Sequence, residues 1–178
     1  MVLSDGTIKR YVEDGAIHID PYKEEHVEPA SVDLRLSDSF AKIESTDIID
    51  TRDPTSVEYR EFHTDELILN PGDTILGSTM ETVRIPPILS ARVAGRSSLG
   101  RIFVEVHKTA GFGDPGFEGD ITLEIGNDGR NPVKLYAGQR ICQIIFEELD
   151  QPAERPYGHD GSQYQSQQGA TSSGMNFD

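Results

Sequence analysis

The sequence predicts a mainly β protein, built as a barrel or a sandwich, with one short helix near the N-terminus. The first observation is a series of short apolar segments, several of which alternate apolar and polar residues as half-buried strands do. The second is the turn chemistry between these segments, as at Pro71 and Gly72 or at 127–129. The third is the length of 178 residues with an apolar fraction of 35%, which suits one compact domain.

The helix is predicted over residues 5–14, with Ser4 as its N-cap and Gly15 as its stop. Its inward apolar stripe would consist of Ile8, Tyr11 and Val12.

Strands are predicted along the rest of the chain, beginning with 30–36, where Val32, Leu34 and Leu36 share one face. Residues 44–61 are charged and interrupted by Pro54, which indicates a surface excursion. One turn of helix is expected near Ser98. The other predicted strands lie within 66–77 (two strands around a turn), 83–87, 90–93, 102–106, 119–125, 133–135 and 140–146.

Composition excludes some classes of protein and favours a cytoplasmic location. The net charge of -15 repels phosphate, so a nucleic-acid binder is not expected; it is compatible with a salt-rich cytosol. The chain has no apolar run long enough for a membrane span, and its first residues do not resemble a secretory signal. Cys142 is the sole cysteine, so no intramolecular disulfide can form, and we expect it to be a small buried hydrophobe.

A segment rich in hydroxyls and guanidinium groups is the first candidate for a site. The sequence GRSSLGR at 95–101 places Ser97 and Ser98 between Arg96 and Arg101. If a helical turn begins at Ser97 or Ser98, its free N–H groups and the two arginines suit a polyphosphate. An ordinary capped turn with solvated arginines is the structural alternative.

Two carboxylates follow within one short run. Strand alternation puts Thr122 and Glu124 on one face, and a Glu facing a nucleotide pocket would be fitted for proton transfer near neutrality. The alternative is a solvent-facing strand position. Asp114 precedes Pro115 and Gly116, so it either starts a turn or binds a ligand hydroxyl or a water.

A zinc-dependent deaminase is excluded by residue count. Such enzymes need a His or Cys together with a Cys-x-x-Cys pair, and this chain has one cysteine and five histidines without metal-ligand spacing. Any water activation must then rely on protein groups.

The polar segment after Pro152 is predicted to be a tail, either disordered or ordered over a ligand as a lid is. Tyr157 and Tyr164 favour the lid, because plain linkers seldom carry aromatic anchors. The resulting division is a catalytic domain at 1–156 and a flexible lid at 157–178.

In combination, these motifs closely resemble the dCTP deaminase family, and the resemblance runs nearly end to end apart from 44–61. It is carried by GRSSLGR at 95–101, HKTA at 107–110, DPGFEG at 114–119, ITLE at 121–124, LSD at 3–5, PASVDLRL at 29–36, RPY at 155–157 and QQG at 167–169.

The resemblance implies a β-clip barrel like that of the trimeric dUTPases, and a homotrimer with active sites at subunit interfaces. It implies dCTP as substrate, no zinc, and Mg²⁺ carried on the triphosphate. Glu124 would be the general base and proton shuttle, while Ser97 and Arg101 would hold the attacking water. The implied substrate-binding residues are Arg96 and Ser98 for phosphates, Ala110 for the water, Asp114 for deoxyribose, the backbone of Thr122 and Leu123 for the base, and Tyr157 and Gln167 from the tail.

Two positions depart from the family pattern, and three rival functions stay open. Gly113 replaces an apolar residue, which would loosen the pocket wall, and Gln163 stands where many members place a Lys toward the phosphates. The rivals are a bifunctional enzyme that carries dCTP through to dUMP and pyrophosphate, a plain dUTPase, and a non-catalytic nucleotide sensor. Glu124 and a tail without Arg after Arg155 disfavour the dUTPase.

Overall fold

The computed structural model describes residues 1–159 and 162–174. Two α-helices lie in these ranges, α1 (Asp5–Glu13) and α2 (Ser97–Gly100), and neither is long and apolar enough to cross a membrane. The strands are β1 (His18–Asp20), β2 (Val27–Glu28), β3 (Ser31–Ile43), β4 (Tyr59–His63), β5 (Glu66–Leu69), β6 (Thr74–Arg84), β7 (Leu89–Gly95), β8 (Val104–Glu105), β9 (Phe112–Gly113), β10 (Glu118–Asn127), β11 (Val133–Tyr136) and β12 (Arg140–Glu148).

Ten strands form one antiparallel sheet whose central path runs β8-β10-β6-β3-β12-β7-β9. β1 adds to β6, while β2 and β4 add to β3; β5 and β11 form a separate two-stranded ribbon. The register shifts where β3 meets β6 and β12, and where β10 meets β6. Because such irregularities bend a strand and increase its twist, the sheet curls around the core.

The core lies between the curled sheet and α1. β10 alternates as expected: Ile121, Leu123 and Ile125 are buried, and the residues between them are half-buried. Ile8 of α1 is fully buried in the same cluster. Each such apolar side chain contributes about 1.5–3 kcal/mol when it is fully buried, so packing holds β10 firmly beneath its cavity-facing residues.

The predicted helix is confirmed, but its cap differs from the expectation. Ser4 occupies the N-cap position, yet its side chain makes no cap hydrogen bond; its Oγ lies 3.4 Å from Thr7 Oγ1. The backbone carbonyl of Ser4 accepts from the amides of Thr7 and Ile8. Packing rather than a side-chain cap therefore anchors this end.

Two strand predictions and the prediction of a surface excursion need correction. Residues 83–87 are not a separate strand, because β6 runs on to Arg84 and Pro86 and Pro87 lack the N–H group that a ladder needs. The predicted strand at 102–106 is reduced to β8, since Phe103 has φ 62° and leaves the extended region. The excursion at 44–61 ends early, because β4 begins at Tyr59.

Candidate functional site

A cavity of about 1260 Å³ lies against β10, between the 107–114 segment and the tail. Six of the predicted catalytic and substrate-binding residues line it: Ala110, Asp114, Thr122, Glu124, Tyr157 and Gln167. This volume is somewhat above the usual range for small-molecule sites, so it is large enough for a ligand of nucleotide size.

Glu124 is held in this cavity by the segment that precedes β9. The backbone N–H of Thr109 donates to Glu124 Oε2 over 2.9 Å, and Thr109 Oγ1 lies 3.3 Å from the same oxygen. Within the described residues no hydrogen bond engages Oε1, and the side chain is 30% exposed. One carboxylate oxygen is thus fixed by the protein while the other is available to a water or a ligand.

His107 lies directly behind this carboxylate. Its Nδ1 is 3.9 Å from Glu124 Oε2, and the ring is buried without a hydrogen-bond partner for Nδ1 in the described part of the chain. Burial lowers the pKa of His107 below its ordinary value of 6.5, and the Glu124 carboxylate opposes this shift. A neutral imidazole therefore stands beside the candidate base.

Asp114 starts a turn, as one of the two alternatives predicted. Its carbonyl accepts from the amide of Phe117 at 3.1 Å, and Gly116 has φ 93°. The positive φ at the third turn position suits glycine. The turn leaves the side chain of Asp114 exposed at the cavity wall, so the turn role and a ligand role are compatible.

The tail folds back over the cavity rather than extending away. The amide of Tyr157 donates to the carbonyl of Pro115 at 2.7 Å, and the phenol oxygen of Tyr157 accepts from the amide of Tyr164 at 2.9 Å. Gln167 binds Asp120 through its backbone and its side chain. Positions 160–161 and 175–178 of the predicted lid lie outside the described residues.

A close approach at Gly116 fixes the start of the tail. A Cβ at this position would lie 2.6 Å from the carbonyl oxygen of Tyr157 and 2.7 Å from Pro156 Cβ. Such distances are too short for van der Waals contact, so the absence of a side chain is what lets the tail dock here.

The segment at 95–101 lies elsewhere on the chain. Ser97 begins α2, as one of the predictions had it, and Ser97, Ser98 and Arg101 are exposed. Arg96 is half-buried, with Nε 3.2 Å from Oδ2 of the buried Asp33. None of these loop residues lines the cavity that contains Glu124.

Within one chain, Glu124 and Asp114 therefore lie at the same cavity, whereas Ser97 and Arg101 of the predicted site do not reach it. Leu123 is also absent from the cavity wall, because its side chain is fully buried in the core and its backbone is paired with Gly77. Any role of Leu123 toward a ligand is limited to its backbone.

The two departures from the family pattern both lie at the cavity wall. Gly113 leaves no gap in the wall: a Cβ there would lie 2.8 Å from Ile85 Cδ1 and 3.2 Å from Ala91 Cβ. Ile85 therefore fills the space that the sequence suggested would be loose. Gln163 lines the cavity, with its side chain against the backbone of Gly174.

Sequence reasoning overlooked Thr109, Asp33 and Asp120. Thr109 acts through a backbone amide, which has no residue signature. Asp33 is buried on a strand whose opposite face is also covered, and the partner of Asp120 is 47 residues away.

Comparison with known proteins gives the family. Residues 2–149 match a family model described as dCTP deaminase-like. A protein of Methanobrevibacter smithii named "dCTP deaminase, dUMP-forming" is 48% identical over 187 residues, covering 99% of this chain and 96% of its own length. A protein of Natronomonas pharaonis named "dCTP deaminase" is 46% identical over 188 residues, covering 100% and 96%. The chain belongs to the dCTP deaminase-like family.

Solved structures support the fold. The dCTP deaminase of Agrobacterium tumefaciens aligns with a TM-score of 0.64 at 21% identity, over 83% of this chain and 48% of that one, so this chain spans about half of that structure. A dUTPase of Staphylococcus bacteriophage 80alpha aligns with a TM-score of 0.51 at 13% identity, over 78% and 94%. The predicted family and the dUTPase-like, mainly β fold with a short N-terminal helix are confirmed; the homotrimer stays a prediction.

Proposed function

We propose that this chain is a dCTP deaminase that hydrolyses dCTP to dUTP and ammonia, with Glu124 as general base. The observation that carries the proposal is the Glu124 carboxylate in a nucleotide-sized cavity, with Oε2 held by the Thr109 amide at 2.9 Å. The family of the chain and the names of its relatives support the substrate. A cytoplasmic location remains the prediction from sequence.

The chemistry requires one base that can also return protons. Glu124 takes a proton from water, whose oxygen forms a bond to C4 of cytosine while N3 gains a proton. The tetrahedral centre then collapses: the C4–N bond breaks, the amino group takes a proton and leaves as ammonia, and the O–H proton is released as the C4 carbonyl forms. A carboxylate with one free oxygen can perform each transfer in turn, and such catalysis contributes about 10²–10⁴-fold.

The second half of the site comes, in this proposal, from a neighbouring copy. Ser97 and Arg101 are exposed and lie outside the Glu124 cavity of their own chain. A homotrimer would bring that loop of one subunit to the cavity of the next, where Arg101 would stabilise the developing negative charge and Ser97 would hold the water.

The remaining roles follow the same arrangement. The proposed contacts are Arg96 and Ser98 with phosphates, the backbone at Ala110 with the water, Asp114 with deoxyribose, the backbone of Thr122 and Leu123 with the base, and Tyr157 and Gln167 with the covered nucleotide. Mg²⁺ would neutralise charge on the triphosphate. Among residues 1–159 and 162–174 no cluster of His, Cys, Asp or Glu could hold a metal, which is compatible with an ion carried by phosphate oxygens.

Residues 157–178 would act as a lid on the catalytic domain of residues 1–156. The described tail docks mainly through hydrogen bonds to β10 and its preceding turn, and Ala170 is its buried apolar residue. Truncation after Pro156 should weaken turnover more than folding. Unchanged kinetics in the truncated protein would remove the lid role.

A dUMP-forming enzyme is the second candidate. Relatives at 46–49% identity are named both "dCTP deaminase, dUMP-forming" and "dCTP deaminase". Whether the reaction of this chain ends at dUTP or at dUMP must therefore be found by analysing the products. The protein is incubated with dCTP and Mg²⁺ while ammonia, dUTP, dUMP and pyrophosphate are followed together. Pyrophosphate in step with ammonia assigns both reactions, and dUTP accumulation assigns deamination alone. Absence of ammonia refutes the proposal.

Subunit mixing tests the shared site. The rate of ammonia release is expected to fall by orders of magnitude in Glu124→Gln chains and in Arg101→Ala chains. When they are co-refolded at equal amounts, about a quarter of the interfaces pair an intact Glu124 with an intact Arg101, so about a quarter of wild-type activity should return. No recovery would place both residues in sites built from one chain.

A further inference from the structure

The buried carboxylate of Asp33 lies two strands away from the serine–arginine loop. In the sheet, Asp33 of β3 is paired with Gln143 of β12, and Gln143 is paired with Ala94 of β7. Neighbouring strands are about 4.8 Å apart, so the carboxylate is within reach of a long side chain that returns across β12. Arg96, two residues beyond Ala94, is placed to return in this way.

Asp33 contacts two guanidinium groups through one oxygen. Its Oδ2 lies 3.2 Å from Arg96 Nε and accepts from Arg140 Nη1 at 3.1 Å. The Asp33 side chain is 2% exposed, against 28% for Arg96 and 39% for Arg140. Because the carboxylate is buried and the two guanidinium groups are partly exposed, Asp33 restricts the positions of both arginine side chains.

The two arginines are not equivalent. Arg140 has a second carboxylate, since its Nη1 lies 3.8 Å from Glu28 Oε1. In the described ranges, Arg96 has no other ion pair, and neither of its Nη groups has a hydrogen bond. Arg96 is therefore held at its Nε by Asp33, and both Nη groups remain available to an external anion.

We propose that Asp33 is a positioning residue that orients the Arg96 guanidinium, and with it the start of α2, toward a substrate phosphate. This rests on the proposed function, in which Arg96 binds the triphosphate. Arg96 is the residue before α2, and its carbonyl accepts from the amides of Leu99 and Gly100 at 3.0 Å. Fixing its side chain therefore also fixes the first turn that carries Ser97 and Ser98.

The test measures phosphate affinity apart from base affinity. In a Glu124→Gln background, which prevents turnover, Asp33→Asn is titrated with Mg²⁺–dCTP, with inorganic triphosphate and with deoxycytidine. Because a charge-assisted contact is lost, affinity for both triphosphates should fall at least about tenfold, while deoxycytidine binding stays within about twofold. An equal loss for all three ligands, or no loss for triphosphate, overturns the proposal.

Glu81→Gln is the matched control. Glu81 is likewise 2% exposed and paired with an arginine, its Oε1 being 2.6 Å from Arg35 Nε, but among the described residues no hydrogen bond or ion pair joins either side chain to α2. Thermal unfolding should show destabilisation in both variants, since each disturbs a buried pair. Triphosphate affinity should fall only in Asp33→Asn; an equal fall in Glu81→Gln contradicts the positioning role.

A second variant keeps the test open if Asp33→Asn does not fold. Arg96→Lys retains the charge, but its single ammonium nitrogen cannot contact Asp33 and also present the two separate NH2 groups of a planar guanidinium, so triphosphate affinity should fall about tenfold. Where both fold, the double variant should bind triphosphate no more weakly than Arg96→Lys alone; additive losses contradict coupling. Ammonia release by the wild-type protein is measured separately. If triphosphate affinity depends on Asp33 but dCTP is not deaminated, only the proposed function is refuted.

Discussion

Asp120 and Gln167 bind each other through two reciprocal hydrogen bonds. The amide of Asp120 donates to the carbonyl of Gln167 at 3.0 Å, and the side-chain amide of Gln167 donates to the carbonyl of Asp120 at 2.6 Å. The Asp120 carboxylate also accepts from the amide of Gly169 at 2.8 Å and from Thr82 Oγ1 at 2.6 Å. One residue of β10 therefore fastens the tail and joins it to β6.

Asp120→Ala should loosen the tail while the barrel stays folded. The amide of Gly169 loses its acceptor, which costs about 1–3 kcal/mol of docking free energy if it stays unpaired. Hydrogen exchange at Gly169 should accelerate, and KM for dCTP should rise. Glu118→Ala is the control, because Glu118 contacts the tail through its backbone. Equal exchange rates in the two variants would show that the Asp120 side chain does not hold the tail in place.

Gly116→Ala and Gly138→Ala separate backbone strain from tail docking. Both glycines have positive φ, 93° and 81°, but a Cβ at Gly138 meets no atom within 4 Å. Each substitution should cost about 1–2 kcal/mol of stability through strain. Gly116→Ala alone should also release the tail, because its Cβ collides with Tyr157. Limited proteolysis after Pro156 measures the release, and comparable cleavage in both variants would show that strain alone is responsible.

Glu124→Gln should abolish ammonia release and keep nucleotide binding. The glutamine carbonyl oxygen can still accept the Thr109 amide, so the side chain keeps its place, but it cannot take a proton from water. The rate should fall at least about 100-fold. Ammonia assay and calorimetric titration with dCTP measure the two effects. A variant with near-normal turnover would remove Glu124 from the base role.

The buried imidazole of His107 predicts a loss of stability in mild acid. Its folded pKa is lowered by burial, so the unfolded chain binds a proton at a higher pH than the folded chain does. This contribution is complete above the ordinary value of 6.5 and is lost as the pH falls through that value toward the folded pKa. Urea denaturation between pH 8 and pH 5 measures it. His107→Gln should flatten the dependence; a dependence that is unchanged in this variant contradicts the assignment.

The net charge of -15 predicts that salt stabilises the chain. Self-repulsion between surface carboxylates is screened over about 10 Å at 0.1 M salt and about 3 Å at 1 M. The free energy of unfolding should therefore rise between these concentrations of KCl. An unchanged midpoint of thermal unfolding would show that repulsion is already balanced by local ion pairs such as Lys134 with Glu66.

The sequence predicted the elements that depend on local periodicity. Alternation placed Thr122 and Glu124 on the face of β10 opposite Leu123, and the Pro115–Gly116 pair correctly indicated a turn. Strand pairing was not readable, because β5 pairs with β11 more than 60 residues away rather than with its neighbour β6. The burial of Asp33 was hidden for the same reason: its partners come from β12 and from the residue after β7.

The sequence indicated which residue types belong to the candidate site, but it did not indicate which of them come together within one chain. GRSSLGR and ITLE stood out together in the sequence, although in one chain the loop does not reach the cavity of Glu124. The docking of the tail depends largely on backbone hydrogen bonds at Pro115, Glu118 and Asp120, which have no signature in the identity of the residues that make them.

The packing of Ile85 against Gly113 couples these two positions in any redesign of the cavity. Both line its wall, and Ile85 already occupies the volume that a side chain at 113 would need. Enlarging residue 113 alone would push the terminal methyl of Ile85 away, whereas Ile85→Val together with Gly113→Ala conserves the summed volume. Ligand selectivity could then be altered by exchanging side-chain volume between positions 85 and 113, while the Glu124 carboxylate stays in place.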